Sequence, residues 1–158
     1  MTRTALMIAL SLSLAACGGT TTPGPGTPPP PAKQAPAAGL SANAQINAIR
    51  ASAGRSAVTR NAKLDAAARG HAQDMITNNF FGHTGSNGST AGKRATRAGF
   101  KWCAVNENIN KGYPGRTAAI EGWRTSPGHY RNMVAANVTQ YGLANVGDVW
   151  VMVMAKGC

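Results

Sequence analysis

Acidic side chains are scarce in this chain: its 158 residues hold five Asp and Glu against 16 Lys and Arg, a formal net charge of +11. Such an imbalance points to an anionic partner or to a solubilising cationic surface. Nucleic acid would be the first anion to consider. Yet the basic residues from Arg50 to Lys156 are scattered, without an arginine-rich run or a nucleic-acid motif, so no nucleic-acid partner is expected. Long apolar runs are also lacking. The one apolar stretch, Ala5 to Leu14, is too short to cross a bilayer as a helix, and nothing after it is long enough. No internal repeat is visible. Cysteine is nearly absent, with only Cys17, Cys103 and Cys158, and so is histidine, with only His71, His83 and His129.

The first residues read as an export signal. Arg3 precedes the apolar run, and the small residues Ala15 and Ala16 follow it. Leu14-Ala15-Ala16-Cys17 resembles the lipobox of bacterial lipoproteins. That resemblance implies cleavage before Cys17, palmitate-type acylation of Cys17 and a lipid anchor, with the membrane as a partner. Several acyl chains on one residue anchor stably, whereas one is marginal. Gly18 at the next position favours the outer membrane, on its periplasmic side or its surface. Residues 17–39 then hold seven of the nine prolines and no large apolar side chain. Such a stretch buries too little to offset its ordering entropy and reads as a disordered tether. Fully extended, it would reach roughly 70 Å at ~3.1 Å per residue.

The remainder, residues 40–158, suits one domain with one core. Without Arg3 the mature chain carries fifteen basic and five acidic residues, a net charge of +10. In a cell envelope the anions available to it are lipid headgroups, lipopolysaccharide and wall polymers. With Cys17 lipidated, Cys103 and Cys158 are an even pair in an oxidising compartment and are expected to form a disulfide.

Periodicity gives helices over 41–51, capped by Ser41, over 61–78, and over 89–98, stopped by Gly99, with Lys93, Arg94 and Arg97 expected in solvent. A short strand follows over 101–109. After the turn Gly112-Tyr113-Pro114-Gly115, a helix capped by Thr117 carries Ile120 and Trp123 and ends at Ser126-Pro127-Gly128. Strands over 140–144 and 148–155 close the domain, the last apolar on both faces and therefore central. Helices first and a mostly antiparallel sheet second make an α+β domain.

Four segments hold the reactive side chains: His71-Ala72-Gln73-Asp74-Met75, Asn79-Phe80-Phe81-Gly82-His83, Asn106-Glu107-Asn108 and Trp123-Arg124-Thr125-Ser126-Pro127-Gly128-His129, with Asn132 beyond. Together they closely resemble the CAP superfamily of cysteine-rich secretory proteins, venom antigens and plant pathogenesis-related proteins. The resemblance implies an α-β-α sandwich whose cleft is lined by two histidines and two acidic residues. His83 matches the first histidine, Glu107 the first glutamate and His129 the second histidine. The second glutamate is replaced by Ser126. Glu121 lies on another side of its helix and does not substitute, so mechanisms needing paired carboxylates are disfavoured.

Two neutral imidazoles suit a borderline metal such as Zn²⁺. The resemblance also implies divalent metal at His83 and His129, weakly bound for want of a firm third ligand. Glu107 is then a third ligand, an acceptor orienting an imidazole, or a base toward bound water. His71, on an apolar stripe, reads as a packed core residue. The expected function is a non-enzymatic binding module taking a metal and a small, lipid-like or sterol-like molecule. Two alternatives are a hydrolase using Ser126, His129 and Glu107, and a structural protein holding anionic lipid or wall polymer.

Overall fold

The computed structural model describes residues 39–158; the signal, Cys17 and nearly all of the tether lie outside the described residues. Helix α1 (Ala42–Ser52) starts where expected, with the Ser41 hydroxyl accepting from the Ala44 amide. Two residues of strand, β1 (Thr59–Arg60), lead into α2 (Ala62–Thr77), which Asn61 caps through Lys63 N–H. Helix α3 (Ala91–Arg97) is shorter than its periodicity suggested and is capped by Thr90, not begun at Ser89. Strand β2 (Trp102–Lys111) follows, then α4 (Arg116–Thr125) and α5 (Pro127–Met133), and the hairpin of β3 (Gln140–Val146) and β4 (Val149–Gly157).

The expected cap at Thr117 is corrected: α4 begins at Arg116 behind Gly115, and no side chain caps it. Helix α5 was hidden by a signal with two meanings. Ser126-Pro127-Gly128 does stop α4, but Pro127 sits in the first turn of the next helix, where its missing N–H costs nothing.

The sheet order is β1-β3-β4-β2. The pairs β3–β4 and β4–β2 are antiparallel, and β1–β3 is parallel, so the sheet is mixed. Strand β4 is central, as its two-faced apolar run demands. Its Met152 and Met154 face a core with Ile46, Ile49, Ile120, Trp123 and Met133, from α1, α4 and α5. Its Val151, Val153 and Ala155 face a second core with Leu64, Ala68, Ala72 and Met75 of α2 and Ala95 of α3. Helices therefore cover both faces, an α-β-α sandwich.

Strand β1 pairs with only the first two residues of β3. Beyond it, side chains complete the edge: Asp65 accepts from Leu143 N–H at 2.8 Å, and Arg60 donates to the Leu143 carbonyl while pairing with Asp65. The Cys103–Cys158 disulfide ties the start of β2 to the last residue of the chain. No helix among the described residues is long and apolar enough to cross a membrane.

Candidate functional site

The site lies along β2, which is an edge of the sheet. Neighbouring residues on a strand point to opposite faces, and here that alternation splits Glu107 from Asn108. Glu107 is level with Val153 and faces the α2–α3 layer; Asn108 is level with Met152 and faces α4 and α5. One strand thus holds a group toward each helical layer.

On the α2–α3 side, the Glu107 side chain is almost fully buried. Its Oε1 accepts from His83 Nδ1 at 2.9 Å, and its Oε2 accepts from Arg94 Nη2 at 2.8 Å. Since a carboxylate can only accept, His83 donates from Nδ1, and in the neutral ring Nε2 is then the bare nitrogen. The His83 side chain remains 59% exposed. It reaches Glu107 through a turn after α2 in which Asn79 adopts φ +50°, a left-handed conformation that Asn tolerates. That turn sends Phe80 inward, 6.2 Å from the His71 ring, and leaves Phe81 half exposed.

His71 is fully buried, as its apolar stripe predicts. Its Nε2 donates to the Gly82 carbonyl at 2.9 Å and lies 3.7 Å from Glu107 Oε1. Burial is the largest influence on its imidazole and holds the pKa below the ordinary histidine value, against the attraction of Glu107. His71 supports the site from behind and is not open to a ligand.

On the other side, Asn108 donates to the His129 carbonyl at 3.0 Å, and Asn132 donates to Asn108 Oδ1 and to the Glu107 carbonyl. These bonds seat α5 against β2. His129 Nδ1 lies 3.0 Å from Ser126 Oγ. Burial, and secondarily the charge of His83, lower the His129 pKa. Glu121 pairs with Arg124 one turn along α4.

The structure thus brings His83 and Glu107 into contact, while the His129 ring bonds Ser126. The Ser126 hydroxyl meets His129 and not Glu107, so among the described residues Ser126, His129 and Glu107 are not joined in a hydrogen-bonded chain. Among the described residues no three His, Cys, Asp or Glu side chains gather as a metal-ligating group.

Arg94 is the residue that sequence reasoning misplaced. Expected in solvent, it is buried, because α3 packs its Gly92, Arg94 and Ala95 inward. Besides Glu107 it donates to the carbonyls of His83 at 3.0 Å and Ser89 at 2.6 Å. The available clue was chemical: a buried carboxylate needs a cation, and Arg94 stands between the two segments that supply His83 and Glu107. Behind it, a groove of about 390 Å³ lies between α2 and α3, lined by Ala66, Gly70, Asp74, Ser89, Arg94 and Arg97 among others. Neither His83 nor His129 lines that groove.

Helices on both faces of a small mixed sheet, with the histidine-bonded Glu107 on its edge strand, define an α-β-α sandwich. The model of the CAP, or cysteine-rich secretory protein, family matches residues 44–150, and the chain belongs to that family. Similar proteins include the uncharacterized membrane protein YlbC of Bacillus subtilis, 31% identical over 74 residues, 47% of this chain and 21% of that protein. The uncharacterized protein YkwD of the same organism is 29% identical over 55% of this chain and 35% of its own length. The matches therefore span only about a fifth and a third of these relatives.

Among solved structures, an extracellular protein containing an SCP domain from Bacillus anthracis superposes with a TM-score of 0.70 at 25% identity, covering 73% of this chain and 39% of that one. An outer surface protein of Borrelia burgdorferi shares the fold, with a TM-score of 0.66 at 17% identity over 73% of this chain and 90% of the other.

Proposed function

We propose that this chain is a membrane-anchored, extracytoplasmic and non-enzymatic binding module, whose His83–His129 cleft takes a divalent metal such as Zn²⁺ and, with it, a small or lipid-like ligand. The observation that carries the reading is the Glu107–His83 hydrogen bond. A carboxylate on one imidazole nitrogen fixes the tautomer and raises the basicity of the other, the arrangement that supports histidine ligands generally. His129 completes the donor set when Ser126 Oγ accepts from its Nδ1, which leaves Nε2 bare. Both Glu107 oxygens are engaged, so its part is to orient His83, not to ligate. Two protein ligands hold a metal loosely and leave positions for water or a ligand.

The test is Zn²⁺ titration of the purified protein beside His83→Ala and His129→Ala. Binding that weakens at least about tenfold in each variant supports the site; equal affinity in all three proteins ends the metal reading. The extracytoplasmic placement draws on the export signal and on relatives described as extracellular or outer surface proteins. Its lipid anchor is checked by replacing Cys17 with Ala, which should move the protein from the membrane fraction to the soluble one.

The Ser126–His129 contact favours a second reading, acyl transfer with Ser126 as nucleophile. Against it, no carboxylate bonds the His129 ring, so the base lacks the orienting group that such sites use. Labelling by a serine-directed probe, lost in Ser126→Ala, would promote this reading over the first. The cationic surface offers a third role, holding anionic lipid or wall polymer. Vesicle binding that disappears in moderate salt, in the His83→Ala protein as well, would mark it.

A further inference from the structure

We propose that Arg94 is the positioning residue of the cleft: by gripping Glu107 and the His83 backbone together, it holds the His83 imidazole as an Nδ1–H donor with Nε2 turned to the cleft. The geometry is specific to a guanidinium. Nη2 donates both to Glu107 Oε2 at 2.8 Å and to the His83 carbonyl at 3.0 Å. Nη1 donates to the Ser89 carbonyl at 2.6 Å. One planar fork therefore holds both ends of the 83–89 loop and the carboxylate that orients the ring within it.

The fork is itself anchored. Helix α3 is fastened to β2 by Trp102, whose indole N–H bonds the Gly92 carbonyl at 3.0 Å and Thr96 Oγ1 at 3.1 Å. His83 has no comparable support among the described residues, where its side chain is 59% exposed and its ring bonds Glu107 alone. Its pose is therefore only as fixed as Glu107 and the loop are. Arg94 supplies the cation that a buried carboxylate requires, and its two terminal nitrogens span carbonyls six residues apart. A lysine keeps the charge but has a single nitrogen and cannot reach both.

Tautomer-sensitive ¹⁵N spectra of the histidine side chains, recorded near pH 8 on the unmodified protein, Arg94→Lys and Arg94→Met, separate positioning from mere stabilisation. The expected result is His83 as a single Nδ1–H tautomer in the unmodified protein and an averaged tautomer mixture in both variants. His129, which Arg94 does not touch, should be unchanged and serves as internal reference. Arg94→Lys preserves the buried charge, so it decides the matter if Arg94→Met does not fold. A His83 tautomer that stays locked in the folded Arg94→Lys protein, or that is averaged before any substitution, overturns the proposal.

The consequence for Zn²⁺ rests on the cleft reading above: affinity should fall about 10- to 100-fold in Arg94→Lys with both histidines intact. If the unmodified protein binds no Zn²⁺, that reading fails while the tautomer result still judges Arg94.

Discussion

At the scale of single residues, the telling feature is how few charges this fold buries and that buried Arg50, Arg94 and Glu107 each find hydrogen-bond partners. Arg50 is 1% exposed and has no carboxylate beside it. It donates instead to the carbonyls of Ser56, Met133 and Ala135. Two of those carbonyls lie at and just past the C-terminal end of α5, where a helix presents unpaired oxygens and partial negative charge. Arg50→Met should lower stability by about 3 kcal/mol, since it strands three acceptors at roughly 1 kcal/mol each; urea denaturation measures it.

His71 sets a pH dependence. Its folded pKa lies below the ordinary 6.5, chiefly through burial. The unfolded chain thus binds more protons than the native one as pH falls below about 6.5. Stability is full above that pH and declines beneath it, with His129 adding in the same direction. Urea midpoints at pH 7.5 and 5.0 should differ less in His71→Gln, which retains a donor for Gly82; an undiminished difference would remove His71 from the account.

At the scale of elements, glycines mark where the layers touch. A Cβ on Gly142 of β3 would lie 2.1 Å from the backbone carbon of Leu64 in α2, and neither chain can yield there. Gly142→Ala is expected to cost about 3 kcal/mol or prevent folding, because overpacking against backbone finds no rotamer escape. Gly70, inside α2 and facing open space, should behave oppositely. Gly70→Ala gains about 1 kcal/mol from helix propensity alone, and thermal melts of the two variants make the comparison.

The elements also show where sequence signals end. Long periodic helices were legible, as was β4 from its unbroken apolar run. Strand β1 was not, because two residues carry no alternation and Thr59–Arg60 pairs only where β3 happens to lie. Helix α5 was lost because Pro127 reads equally as a stop and as a first-turn residue.

At the scale of the whole molecule, the disulfide is the longest covalent constraint, joining residues 55 apart and pinning the chain's last residue. Replacing both cysteines with serine should lower stability by roughly 4 kcal/mol on the chain-entropy account; reduction of the intact protein should give a similar loss in the same denaturant series. The sandwich has a functional consequence as well. The proposed metal site draws on both helical layers, since His83 follows α2 and His129 lies in α5. A substitution that loosens α5, such as Asn132→Ala, is expected to weaken Zn²⁺ binding in titration while leaving His71 buried.

By itself, the sequence determined an α+β domain from its periodicity and the disulfide partners from counting, and the resemblance its segments carry implied the family and the α-β-α class. Cys103 and Cys158 were the expected pair with Cys17 read as lipidated, and the structure joins them. His83, Glu107 and His129 stood in recognisable segments. What the tertiary structure alone decided is how those residues are held. Local pattern placed Arg94 among solvated cations, for Lys93 and Arg97 beside it are indeed exposed. Only the packing of α3 on β2 turns Arg94 inward to the carboxylate. The distinction is physical: Arg94 is held inward by a carboxylate thirteen residues away on another element, and helical periodicity within α3 carries no sign of that partner.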